Sequence, residues 1–80
     1  MKAKVHVTLK NGVLDPQGVA IAAALGHLGF DKVDGVRVGK YIELDLAETN
    51  AQDATDTVKK MCDALLANTV VEKYQIELTE

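Results

Sequence analysis

Serine and tryptophan are absent from this 80-residue chain, and arginine, proline and cysteine occur once each, as Arg37, Pro16 and Cys62. The missing serine removes one class of nucleophile. A lone cysteine cannot close an intrachain disulfide. Cys62, His6 and His27 are scattered singly along the chain, without the short spacings of a tetrahedral zinc set. One arginine, one phenylalanine, two tyrosines and a net charge of −3 are a poor inventory for displacing counterions and stacking bases, which argues against nucleic acid. No segment reaches the roughly 18 apolar residues that span a bilayer, and Met1 to Val5 lack the apolar stretch of a signal peptide. With a single thiol, a reducing cytoplasm is the expected location.

What the chain does have is 48% hydrophobic and 26% charged residues, the composition of an ordered protein. Residues 1–80 suffice for one domain. At this length apolar burial barely offsets a conformational-entropy cost of about 1.5 kcal/mol per residue. With disulfide and metal set aside, a partner subunit is the expected source of further stability.

The pattern alternates from Ala3 to Lys10, with Ala3, Val5, Val7 and Leu9 on one face and Lys4, His6, Thr8 and Lys10 on the other, a half-buried strand. Asn11-Gly12 turns the chain, and Asp15-Pro16 supplies a capping carboxylate and a first-turn proline. The helix that follows has an expected inward stripe of Gly18, Ile21, Leu25 and Leu28, broadened by Val19 and Ala22, and stops at Gly29. Val36 to Leu46 reads as a hairpin. A loop of Gly39-Lys40-Tyr41 would pair Val38 with Ile42 and Val36 with Leu44, so that both strands bury the same side. Asn50 with Asp53 opens a second helix with an apolar stripe of Ala51, Ala54, Val58, Met61 and Leu65, and Tyr74, Ile76 and Leu78 mark a last strand. The order βαββαβ implies an α+β, ferredoxin-like antiparallel sheet with two helices on one face. Its bare face or an edge strand would then serve for dimerisation.

Sites of chemistry are hard to find. Gly35 and Gly39-Lys40 imitate a phosphate loop, but the spacing is three, Tyr41 replaces the hydroxyl residue, and a strand follows. Gly26-His27-Leu28-Gly29 imitates the GxxG clamp of KH domains at what reads as a helix end. His27 suits the negative end of a helix dipole, His6 points to the bare face, and Cys62 reads as a small core residue. Asp15, Asp31, Asp34, Glu43 and Asp45 each have a local role as cap, loop or outward strand residue.

Two stretches are more specific: Gly12-Val13-Leu14-Asp15-Pro16-Gln17-Gly18 and Val36-Arg37-Val38-Gly39-Lys40-Tyr41-Ile42-Glu43-Leu44. With the first strand, Ala24-Leu25, Leu28-Gly29-Phe30 and Leu65 to Asn68, they resemble the PurS family, the small subunit of phosphoribosylformylglycinamidine (FGAM) synthase. The chain departs from the family at Asn68-Thr69-Val70, where a proline often follows the asparagine. The resemblance implies a non-catalytic role in purine biosynthesis, in a complex that makes an amidine from an amide with ATP and glutamine-derived ammonia. In that family a PurL synthetase binds ATP, Mg and substrate, a PurQ glutaminase releases ammonia, and a PurS dimer brings them together. No cofactor is then expected on this chain. Asp15, Pro16, Gln17, Arg37, Gly39 and Lys40 become candidate partner contacts, since they lie in turns and neither Arg37 nor Lys40 has an evident core role in the sequence. A competing class is a small-molecule sensor of the ACT type, which has the same element order. RNA binding on the bare face would require aromatic residues where Lys4, His6 and Thr8 stand.

Overall fold

The computed structural model describes all 80 residues and contains three strands and two α-helices. They are β1 (Lys2–Leu9), α1 (Pro16–His27), β2 (Gly39–Asp45), α2 (Ala51–Met61) and β3 (Glu72–Thr79), with a π-helical turn over Cys62–Leu66. The sheet is antiparallel in the order β2-β1-β3. Alternation on β1 builds the core. Ala3, Val5 and Val7 are fully buried in the central strand, with Leu44 and Leu78 flanking Ala3 and Ile42 and Ile76 flanking Val5. Ala54, Val58 and Cys62 of α2 and the π turn are fully buried as well, and Val58 and Cys62 join the β1 residues in one cluster.

Local signals set the helix ends. Asp15 accepts a hydrogen bond from Gly18 N at 2.8 Å, with Pro16 opening α1. Gly29 has φ +97°, and the bonds Phe30 N to Leu25 O (3.0 Å) and Gly29 N to Gly26 O (3.1 Å) complete a Schellman termination. Asn50 caps α2 by accepting from Gln52 N and Asp53 N. The turn that lacks proline is held by Asn68, whose side chain accepts from Val70 N while its own N–H donates to Glu72 Oε1 at 2.7 Å.

Three expectations are corrected. The α+β class with an antiparallel sheet and two helices holds, but the sheet has three strands rather than four. Val36 to Val38 form no strand, and Gly39-Lys40-Tyr41 are the first residues of β2 rather than a hairpin loop. The cause is competition for backbone groups: Val38 N donates to Asp15 Oδ2, and Arg37 bonds to carbonyls of the β1–α1 connection, so this segment is held at the start of α1. The element order on which an ACT-type sensor depends is absent with it.

The second correction concerns α1. Only Gly18 of its expected stripe is buried, and no residue of α1 belongs to the core. Only α2 covers the apolar face of the sheet. The molecule is accordingly elongated, 48 × 26 × 14 Å, with a radius of gyration of 15.9 Å against about 12 Å for a compact chain of this length. In the third, the π turn adds one residue to the helical repeat, with Ala67 N bonded to Cys62 O at 2.9 Å. Cys62 therefore fills the core while Leu65 turns out, 84% exposed.

Candidate docking site at the base of the first helix

Where α1 leaves the sheet, an open cleft of about 380 Å³ is lined by Leu9, Asp15, Pro16, Gln17, Val38, Gly39, Lys40 and Glu72. Five of the six residues singled out in the sequence meet here, from segments some 20 residues apart. Asp15 and Pro16 arrive as cap and first turn of α1, Gln17 follows in that turn, and Gly39 and Lys40 open β2. Gly39 lies against β1 so closely that a Cβ there would stand 2.5 Å from Val7 O.

Each charged group in the cleft already has a partner. Asp15 is 5% exposed, and its two oxygens accept from Gly18 N and Val38 N at 2.8 Å each. Those backbone donors, Val38 first, hold its carboxyl below the usual carboxylate value. Lys40 shares the inward register of Ile42 and Leu44, because it pairs with Val7. Its ammonium is held at the rim by Leu66 O (3.4 Å) and Glu72 Oε2 (3.7 Å). Glu72 Oε1 meanwhile accepts from Asn68 N. An acid committed to two backbone donors and an ion-paired lysine offer no free proton carrier. Recognition, rather than reaction, is what this arrangement can do.

Arg37 lies beside the cleft, with an intrachain role that its sequence position did not reveal. Nη1 donates to Val13 O at 3.0 Å, and Nη2 to Lys10 O at 3.1 Å and Leu9 O at 3.5 Å. Leu9, Val38 and Glu72 were missed as lining residues. A signal for Glu72 existed: Lys40 falls in phase with Ile42, Leu44 and Leu46, and a cation on an inward register needs an anion or carbonyl nearby.

The remaining candidates behave as surface or core. His6 is exposed on the open sheet face, its ring 5.0 Å from that of Tyr41. Lys2 and Glu43 pair across that face at 3.1 Å. His27 is exposed in the last turn of α1. Cys62 is fully buried, and burial, with Asp63 adding to it, pushes its thiol up and away from reactivity. No group of three or more His, Cys, Asp or Glu side chains is placed to hold a metal ion, and no helix is long and apolar enough to cross a membrane.

Asp15 makes a pH prediction. Its folded-state value lies below the ordinary 3.8, so its stabilising effect is complete above that value and is lost as the pH falls through the lower, folded one. Thermal melts of the parent should therefore show acid destabilisation beginning below about pH 4. Asp15→Asn should melt several degrees lower at neutral pH and lose part of that acid dependence. Parallel pH profiles for the two proteins would remove Asp15 from this role.

The chain is similar to known proteins over almost its whole length. Residues 2–80 match the PurS family, described as phosphoribosylformylglycinamidine (FGAM) synthase. The chain is 49% identical over 79 residues to phosphoribosylformylglycinamidine synthase subunit PurS of Bacillus subtilis, covering 99% of this chain and 93% of that one. Among solved structures it is similar to B. subtilis PurS, with a TM-score of 0.88 at 49% identity over 99% of this chain and 98% of the other. A chain in the structure of PurLQS from Thermotoga maritima is similar with a TM-score of 0.87 at 36% identity, covering 95% and 93% of the two chains.

Proposed function

The chain belongs to the PurS family, and on that premise we propose that it is the bridging subunit of FGAM synthase, self-associating through α1 and holding PurL and PurQ together for ammonia transfer. The observation that carries this reading is α1 itself, an apolar helix that contributes no residue to the core of its own chain. Leu28 at its C-cap is 72% exposed, and Leu14 and Phe30 beside its two ends are 73% and 60% exposed. A 12-residue helix is marginal in water unless tertiary packing supports it. Between Pro16 and Leu28 the only ionisable side chain is His27, so nothing electrostatic opposes the approach of an identical helix. The committed charges of the cleft fit the same reading: the chain contributes shape, while ATP, Mg and glutamine are handled by the partner subunits. Ammonia released into water becomes protonated and loses its nucleophilicity, so holding the two active subunits in register serves the reaction without chemistry in the bridge. The assembly is cytoplasmic.

The test is reconstitution with PurL and PurQ. Omitting this chain should lower glutamine-dependent FGAM formation by about tenfold or more while leaving turnover with added ammonia within about twofold, the pattern of a lost transfer step. Equal glutamine-dependent turnover with and without the chain would end the bridging reading.

A further inference from the structure

We infer that Arg37, acting with Asp15, is a positioning residue that sets the direction in which α1 leaves the sheet, and that glutamine-dependent turnover depends on that direction. The second half rests on the bridging role proposed above; the first stands on geometry alone.

Three segments converge at one junction: the turn after β1, the first turn of α1, and residues 36–38 leading into β2. Arg37 spans the first and third, its guanidinium donating to the carbonyls of Val13, Lys10 and Leu9. Asp15 joins the second and third, one oxygen on Gly18 N and the other on Val38 N. The backbone at Gly18 sits directly against Val36 O, too close to admit a Cβ. Beyond this junction α1 adds no residue to the core, and only Ala22 and Leu25 are half-buried. The junction is therefore an elbow, and its bonds are the chain's main hold on where the helix points.

Leverage makes that angle matter. Twelve helical residues extend about 18 Å at 1.5 Å each, so a swing of about 20° at the base moves the far end by about 6 Å. A shift of that size would carry any subunit seated on α1 out of register, and misplacements near 1 Å can already cost two orders of magnitude in rate.

Arginine is needed here for its shape. Its planar fork presents several donors in fixed directions and can reach three carbonyls at once, whereas a lysine ammonium is a point charge on a flexible stem. The guanidinium makes no ion pair with any carboxylate of the chain. Its contacts are to carbonyls, its charge acts on Asp15 only at longer range, and Arg37→Lys separates fork geometry from charge.

The experiment uses the full-length chain, spin-labelled at His27→Cys and Gln75→Cys, both exposed, with the buried Cys62 left unlabelled. The labelled chain is diluted with unlabelled protein so that each assembly carries one labelled copy. Double electron–electron resonance should give a narrow distance distribution with Arg37 in place and one at least twice as wide with Arg37→Met or Arg37→Lys. In the reconstituted synthase both variants should lower glutamine-dependent turnover about tenfold, with ammonia-dependent turnover unchanged within about twofold. An unchanged distribution in Arg37→Met overturns the elbow. Parent-like behaviour of Arg37→Lys in both assays overturns it too, because charge would then suffice. A widened distribution with full glutamine-dependent turnover overturns the coupling to activity. If omitting the whole chain leaves turnover intact, the bridging role is what fails, and the distances still decide the elbow.

Discussion

Gly18→Ala is expected to lower the melting temperature by roughly 5–20 °C, whereas Gly26→Ala in the same helix should raise it by a few degrees. Helix propensity favours alanine at both positions, by about 0.5–1 kcal/mol. Neither glycine has a positive φ, so backbone conformation does not oppose the change. Surroundings decide the sign. A Cβ at Gly26 meets nothing within 4 Å, but at Gly18 it collides with Val36 O and stands 3.0 Å from the Asp15 carboxyl. A flexible side chain could rotate away from such a contact; a backbone carbonyl held beside Val38 N and its bond to Asp15 cannot. Relief requires residues 36–38 to part from α1, which breaks the two-sided use of Asp15 and strains the Arg37 contacts. Overpacking of this kind costs about 2–3 kcal/mol, more than the propensity gain. Measured at equal protein concentration, similar melting temperatures for the two variants would show that the close approach at Gly18 is not retained in solution.

The second large effect is expected in assembly. Ile21, Leu25 and Leu28 recur at helical spacing on α1, with Ile21 and Leu28 exposed and Leu25 half-buried. Ile21→Gln combined with Leu28→Lys should weaken self-association at least a thousandfold, by sedimentation velocity over a concentration series. Fully burying one Leu or Ile side chain contributes about 1.5–3 kcal/mol, and a symmetric interface loses each twice. In an isolated chain the same substitutions touch nothing in the core and should change its intrinsic stability little. That contrast is diagnostic, because a helix that packed on its own sheet would respond in the opposite way. Undiminished association would mean that the copies meet elsewhere, with the free edges of β2 and β3 as the next surfaces to test.

The two variants also mark the boundary between what was legible in the sequence and what was not. Asp15 as a cap, Pro16 in the first turn, Gly29 as a stop and the alternation of Ala3, Val5 and Val7 are all visible locally and all present in the structure. The cleft was half legible, since its turn residues stand out in the chain, while Glu72 and Leu9 come to it only through β-pairing. Val36-Arg37-Val38 has the alternation of a strand, yet its groups are taken by bonds spanning 23 residues to Asp15 and 24 to Val13.

The sequence by itself determined the helices and their caps, the strand faces, the antiparallel α+β frame and the shortage of reactive side chains, because each depends on neighbours within a few residues or on composition. Only the tertiary structure decided that α1 adds no residue to the core of its own chain, that the expected hairpin arm is bound to a helix start, and that Arg37 is a strut. Those outcomes turn on which distant backbone donors and acceptors satisfy one another. Periodicity reports how much apolar surface a helix must bury; it does not report whether the chain that covers it is the same one.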